Sequence, residues 1–462
     1  MREAVRQRLH RPRFDVGTLR YSALGLALLI VWLLVGELGM AMRDRAVLPA
    51  SLEILRRYGG SDHQVSLLLS GIPAVLSLLM SPLVGPASDR YRSRWGRRRP
   101  FLFMLAPLGG VSLVGVALSA EAGNALHALF GNAADQGQYA LIAFGFSWTL
   151  FCAVMLCVQA LYIGLVNDVL PRNWLGRFFG MYRIVSLGIG IAFYLWVFPL
   201  LDRHPHLIIG LIGALFTVML MTMCVMVREG DYPAPPAALG SAVALRQRLR
   251  AGLADAFTLP GARWRYGALI LGGMAFGPFN TFSQYYAESL GVSKGELGEI
   301  SSLAYGISMA LALVVGAMVD RLGAVRMSLI IMGLYTVSIA VGFGMLHDAD
   351  SFRPVYLLHV VLSGTYFTAA ASLPMALFPR LDFLRYCAFK DLIGSFIGIA
   401  LSLAQGAVLD RSGHDYRLTL LFAALCGGLC ALCLSRVAWK PDVADLPAVL
   451  APPRSDPGHT RA

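Results

Sequence analysis

The stretch GPASDRYRSRWGRRRPF, residues 85–101, joins two long apolar runs and decides how the rest of the chain is read. Its skeleton is Gly85-x-x-x-Asp89-Arg90 followed by Gly96-Arg97-Arg98-Arg99. About half a chain later it returns as Gly316-x-x-x-Asp320-Arg321 followed by Gly323 and Arg326. Glycine lets neighbouring helices approach closely. An aspartate at a helix end accepts hydrogen bonds from a neighbouring helix N-terminus or pairs with arginine. Gly85, Asp89, Arg90, Gly96, Arg97, Arg98, Gly316, Asp320 and Arg321 therefore read as two copies of a latch that holds one conformation and opens in another. Arg92, Arg94 and Arg99 are explained as well by a cluster that only sets orientation in a bilayer. Two copies at matching points make the chain an internal duplication.

The apolar runs around the motif extend through the whole chain. Hydrophobic residues make up 57% and charged residues 14% of 462, against roughly a quarter charged in soluble domains. A hydrocarbon core of about 30 Å needs roughly 20 apolar residues in a helix, because only a helix satisfies its own backbone there. Candidate spans fall at 21–42, 64–86, 100–120, 139–165, 178–200 and 207–227, then at 266–290, 297–318, 325–346, 354–376, 389–408 and 417–437. The expected fold is all-α and membrane-integral, with twelve transmembrane helices in two six-helix pseudo-repeats. It divides into a tail (1–20), a first bundle (21–228), a linker (229–264), a second bundle (265–438) and a disordered tail (439–462). In the linker, Leu245, Leu249, Leu253 and Phe257 recur among arginines and predict an amphipathic helix on the membrane surface.

Arginines orient the spans. Six lie in the N-terminal tail, six between spans 2 and 3, and six between Arg228 and Arg265, while the loop 121–138 has no Lys or Arg. Both termini are expected on the basic, cytoplasmic side. The net charge of +12 is thereby explained by topology and not by nucleic acid. The arginine-rich start mimics a signal peptide, but its apolar run is too long and reads as an uncleaved first helix. Cys426, Cys430 and Cys433 share a helix face without His or acidic neighbours and read as buried thiols, not a metal site. No cofactor motif or catalytic domain is evident, so an enzyme is not expected, and nothing demands more than a monomer.

Charges inside a span are expensive and mark candidate sites. Glu37 is followed by Arg43-Asp44-Arg45 and then by Val47-Leu48-Pro49 and further apolar positions. The triplet lies at the membrane surface if helix 1 begins at 21, and mid-membrane if the helix begins later and runs to about 57. Apolar residues beyond Pro49 favour the second placement. Glu37 and Asp44, seven apart, share a helix face. Asp44 beside arginine is the charge partner, and Glu37, with no adjacent cation, is the better candidate to take up a proton. Arg183 in span 5 either adds a cation to the site or snorkels to the headgroups. Asn280, Gln284, Tyr285 and Tyr286 in span 7, with His359 and Tyr366 in span 10, offer amide donors and aromatic faces suited to sugar hydroxyls. Interfacial tyrosines and a bonded structural histidine are the bland alternatives.

The duplicated glycine–aspartate–arginine motif resembles that of the major facilitator superfamily, over nearly the whole chain. SDRYRSRWGRRRPF (88–101) is similar to the sucrose-transporter-like group, more loosely to the glycoside–pentoside–hexuronide cation symporters, and to a tetrapyrrole-associated branch. GRFFG (176–180) resembles the connection between helices 4 and 5 in many members. The resemblance implies two bundles rocking about a central site. It also matches Glu37, Arg43 and Pro49 in helix 1, and Gln159 and Asn167-Asp168 in span 4, to polar or proline positions of sucrose-type carriers. Ile163 departs from that pattern, which places a substrate-engaging arginine there, and this puts sucrose itself in doubt.

The expected function is secondary transport of a small polar solute, a sugar or glycoside, coupled to protons or sodium. The alternatives are a delivery factor for a tetrapyrrole or other amphipathic molecule, and a solute sensor. The excess of arginine over lysine points to a GC-rich bacterium and its inner membrane.

Overall fold

The computed structural model describes residues 14–130, 136–232, 261–378 and 383–439. A short hairpin opens the described chain: β1 (Phe14–Val16) pairs antiparallel with β2 (Leu19–Tyr21), turning at Gly17, whose φ of 57° suits glycine. It occupies the end of the segment expected to be a plain tail.

The first half contains α1 (Ala23–Arg57), α2 (Asp62–Ser66, a π-helical turn Leu67–Gly71 and Ile72–Arg90), α3 (Arg99–Ala117), α4 (Ser119–Phe130), α5 (Gln136–Val169), α6 (Arg172–Ala192) and α7 (Pro205–Met226). Beyond α6 a π turn (Phe193–Val197) and a 3-10 turn (Phe198–Asp202) prolong the helix. The second half contains α8 (Ala262–Met274), α9 (Gly277–Ser289), α10 (Lys294–Leu322), α11 (Ala324–Met345), α12 (Ala349–Ala370), α13 (Leu373–Leu377), α14 (Phe383–Arg411) and α15 (Leu418–Trp439). Ten of these segments are long and apolar enough to cross a membrane. With the pair α8–α9 and with α12, they make the expected twelve crossings. Large apolar side chains such as Leu313 and Phe146, 83% and 74% exposed, face outward, as lipid-facing positions do.

Several boundaries differ from expectation for local reasons. Helix α1 does not stop at 42. Ser22 caps its start by accepting from the Gly25 N–H, and it continues through Pro49 to Arg57. The region 121–138, expected as a loop, holds α4. The expected span 266–290 is two helices, because Gly277-Pro278 interrupts the backbone ladder between α8 and α9. The expected span 354–376 begins earlier, at the Asp348–Ser351 capping box, and ends at Ala370. The amphipathic helix expected around 245–257 and the tail beyond 439 lie outside the described residues.

Within the first half, α7 packs against α1 and α3. A side chain at Gly36 would collide with Met223 and one at Gly110 with Thr217, and one at Gly39 would crowd Met219, so these helices approach closely at glycine. The halves meet along α2–α14 and α6–α10. At the first seam Ser66 Oγ donates to the Ser402 carbonyl (2.7 Å) and Ser402 Oγ donates back to the Ser66 carbonyl (2.6 Å). Both π turns lie beside these seams, where such bulges often serve moving parts.

Candidate functional site

Because α1 runs unbroken past Pro49, Arg43, Asp44 and Arg45 lie inside the span and not at its surface. Asp44 and Arg45 line a cavity of about 300 Å³ between the halves. Arg183 and Tyr194 close it from the α6 side, Asn280 and Ser283 from α9, Tyr305 and Ser308 from α10, and Tyr356 and Ser363 from α12. A second lobe of about 220 Å³ shares Asp44 and Leu48 and reaches Arg43, Trp148 and Gln159.

Charge is unevenly distributed around this space. Arg43 Nη1 pairs with Asp44 Oδ1 at 2.6 Å. Arg45 donates to the Tyr305 hydroxyl and to Ser186 Oγ, each at 3.2 Å, with its guanidinium 4.8 Å from the Tyr305 ring centroid. Arg183 reaches across to α12, donating to the Gly364 carbonyl at 3.3 Å. Of the two readings of Arg183, the structure places it in the cavity wall. His359, buried behind the wall, holds Asn280 in place, with Nε2 and Oδ1 2.8 Å apart and the Tyr335 hydroxyl 3.1 Å from its Nδ1.

The other expected residues are dispersed. Glu37 is 1% exposed and lies off the cavity wall, one carboxyl oxygen without a partner and the Tyr182 hydroxyl in hydrogen-bonding reach. Tyr285 donates to the Leu52 carbonyl at 2.6 Å and so ties α9 to α1. Gln284 is buried with its amide nitrogen unpartnered, again off the wall. Asn167 is exposed near the end of α5. Asp168, grouped in the sequence with the solute-binding residues, instead holds the basic end together. It accepts from Arg97 (2.7 Å) and from Arg98 Nε (2.7 Å).

That basic end gives the 85–101 motif a concrete geometry. Glu229 accepts the backbone N–H groups of Arg97, Arg98 and Arg99 at 3.0, 3.0 and 2.7 Å, capping the positive end of α3. Gly96, with φ of 104°, makes room, since a side chain there would collide with Glu229. Tyr232 donates to Glu229 (2.8 Å), and Arg97 lies 4.3 Å over its ring. Gly85 lies within α2, as does Asp89, whose side chain is not among those described. In the second copy Asp320 and Arg321 are exposed, with no polar partner among the described residues. Among the described residues, then, the arginines of the first copy are held by Asp168 and Glu229, while Asp320 and Arg321 of the second have no such partner.

Residues 33–381 match the family described as the Major Facilitator Superfamily. The chain belongs to that superfamily. Short stretches are similar to curated transporters. The human Membrane-associated transporter protein is 47% identical over 58 residues, 13% of this chain and 10% of that protein. The human Proton-associated sugar transporter A is 38% identical over 96 residues, 19% and 12%. Mouse Solute carrier family 45 member 3 is 28% identical over 223 residues, 46% and 38%. The matched region therefore spans well under half the length of these relatives. Among solved structures, a nucleoside transporter has TM-score 0.64 at 13% identity, covering 89% of this chain and 99% of its own. A D-xylose–proton symporter has TM-score 0.61 at 14% identity, covering 88% and 97%. At such identity these share the fold.

In this superfamily member the far end, opposite the linker, carries polar groups that the sequence reading did not single out. Lys294, at the start of α10, contacts Glu53 of α1 (2.6 Å), Glu288 of α9 (3.1 Å) and Asp202. Arg56 pairs with Glu288, and Arg57 with Glu53 (3.1 Å). The Ser293–Glu296 capping box starts α10 and so sets Lys294 in its first turn. Beside it, Asp62 of α2 meets His414 Nδ1 at 2.6 Å and Tyr416 at 3.2 Å, while the Asp410 carboxylate accepts the Asp62 N–H at 2.8 Å. These bonds join the two halves at the far end.

The hydrogen bond to Asp62 raises the His414 pKa above its ordinary value, with the nearby Asp410 charge adding to it. The ion pair is therefore complete below the ordinary imidazole pKa of about 6.5 and fades as pH climbs through the raised value. The far end of the protein in nanodiscs should open with rising pH, read as a longer distance between spin labels at His204 and His347. His414→Gln should flatten that dependence, and an unchanged pH profile in that variant would remove His414 from closure.

Proposed function

We propose that this superfamily transporter moves a small hydroxylated solute, a sugar or glycoside, by alternating access, driven by protons or sodium. The observation that carries the reading is the cavity of about 300 Å³ walled by both halves. Its lining of Tyr194, Tyr305 and Tyr356 with Asn280, Ser283, Ser308 and Ser363 offers the aromatic faces and neutral hydrogen-bonding groups that suit a sugar ring. The bonds between halves at the far end supply a closure that must break when access alternates. The arginine-rich linker end is then cytoplasmic, in a bacterial inner membrane. The similarity to the Proton-associated sugar transporter A supports this solute class. A delivery factor for an amphipathic pigment would be better served by an apolar, lipid-facing cleft, and the guanidinium groups on this wall disfavour it.

Uptake of a labelled glycoside panel into cells expressing the chain, with and without a protonophore and with sodium omitted, tests the reading. One sugar accumulated and lost on collapse of the proton gradient would establish proton symport. Loss only without sodium would make sodium the coupling ion. No sugar taken up by folded, membrane-inserted protein would bring the delivery reading forward.

A further inference from the structure

We propose that the transported solute is an anionic sugar, a sugar acid or sugar phosphate, whose negative group is held between Arg45 and Arg183. The inference rests on the cavity being the transport site and narrows the solute class.

Two guanidinium groups share one wall of an enclosed space, and arginine stays charged in proteins. Asp44 is the one carboxylate among the cavity's lining residues, and it is engaged by Arg43 at 2.6 Å. Among the described residues Arg45 and Arg183 have only neutral partners: Tyr305, Ser186, the Gly364 carbonyl and Thr368. The Nε groups of both are buried without any acceptor. Glu37 does not line the cavity and forms no salt bridge with either among the described residues. Hydroxyl and carbonyl dipoles do not neutralise two full charges at membrane depth, and two like charges on one wall repel. A bound carboxylate or phosphate resolves both problems, since its planar or trigonal oxygens match the guanidinium fork. The remaining wall, Asn280, Ser283, Ser308 and Ser363, addresses hydroxyls. The volume suits a monosaccharide more than a larger glycoside.

The purified protein in nanodiscs is titrated with glucose, glucuronate and glucose 6-phosphate, which share a ring and differ in charge. At least one anionic sugar should bind ten times more tightly than glucose, and which one does identifies the anionic group. Arg183→Gln and Arg45→Gln should each weaken that sugar on the order of ten- to a hundredfold, as expected for a lost charge-assisted hydrogen bond, and so narrow its advantage over glucose. Arg183→Lys should recover part of the loss. The wild-type comparison decides the matter even if a variant fails to fold. Glucose bound as tightly as both anions, or a preference that survives both substitutions, overturns the anion assignment and leaves the sugar reading standing. Failure of all three sugars to bind folded protein overturns both.

Discussion

Glu37→Gln is expected to abolish accumulation of solute against a gradient while leaving solute exchange intact. Glu37 is buried in α1 two turns from Asp44, beside Tyr182, with one carboxyl oxygen unpartnered. As a carboxylate it is a charge inside a span with no counter-charge in contact. A proton removes that charge, and glutamine imitates the protonated form permanently. A proton falling through 100 mV delivers about 2.3 kcal/mol, roughly fiftyfold in solute concentration. The variant should therefore lower the accumulation ratio from that order to about one in proteoliposomes with an imposed gradient. Counterflow, which needs no net proton movement, should proceed at the wild-type rate. Accumulation equal to wild type would remove Glu37 from coupling.

Lys294→Met should open the far end. Lys294 is 6% exposed and holds Glu53 and Glu288 together across the boundary between halves. Without it those carboxylates face one another with only Arg56 and Arg57 to offset them. Breaking a buried pair from one side costs about 3 kcal/mol or more, on the order of a hundredfold in the balance of closed and open states. The label pair at His204 and His347 should move to the longer distance, and transport should slow because return to the closed state becomes limiting. Adding Glu53→Leu should restore part of the closure, since replacing both members of a buried pair by apolar groups is much less costly. An unchanged distance distribution in Lys294→Met would show that the network decorates the closure without holding it.

Much of the architecture was legible from hydropathy alone, because a bilayer forces about twenty apolar residues per crossing and helices satisfy their own backbone. The misreadings have local causes. Hydropathy ends span 1 at 42, because charged residues lower it wherever they point, yet the helix continues unbroken through Arg43–Asp44–Arg45 to Arg57, the end that the apolar residues beyond Pro49 favoured. Span 7 was read as continuous because composition does not register what Gly277-Pro278 does to the hydrogen-bond ladder. Of the candidate residues, Asp44, Arg45, Arg183 and Asn280 come together on one cavity wall, with Gln159 on the adjoining lobe. Asp168 was drawn into that group by sequence neighbourhood, though the helix carries it to the opposite task of binding Arg97 and Arg98.

By itself the sequence determined that this protein spans a membrane many times, that its halves are duplicated, and which end is rich in arginine. Those properties depend on local composition and on spacing along one chain. Which charges meet was decided only by tertiary structure. Asp168 with Arg97, Lys294 with Glu53, Asp62 with His414, and Arg45 with Arg183 on one cavity wall are separated by tens to hundreds of residues. Whether each charge is paired or left facing a cavity depends on how helices from two halves are set side by side.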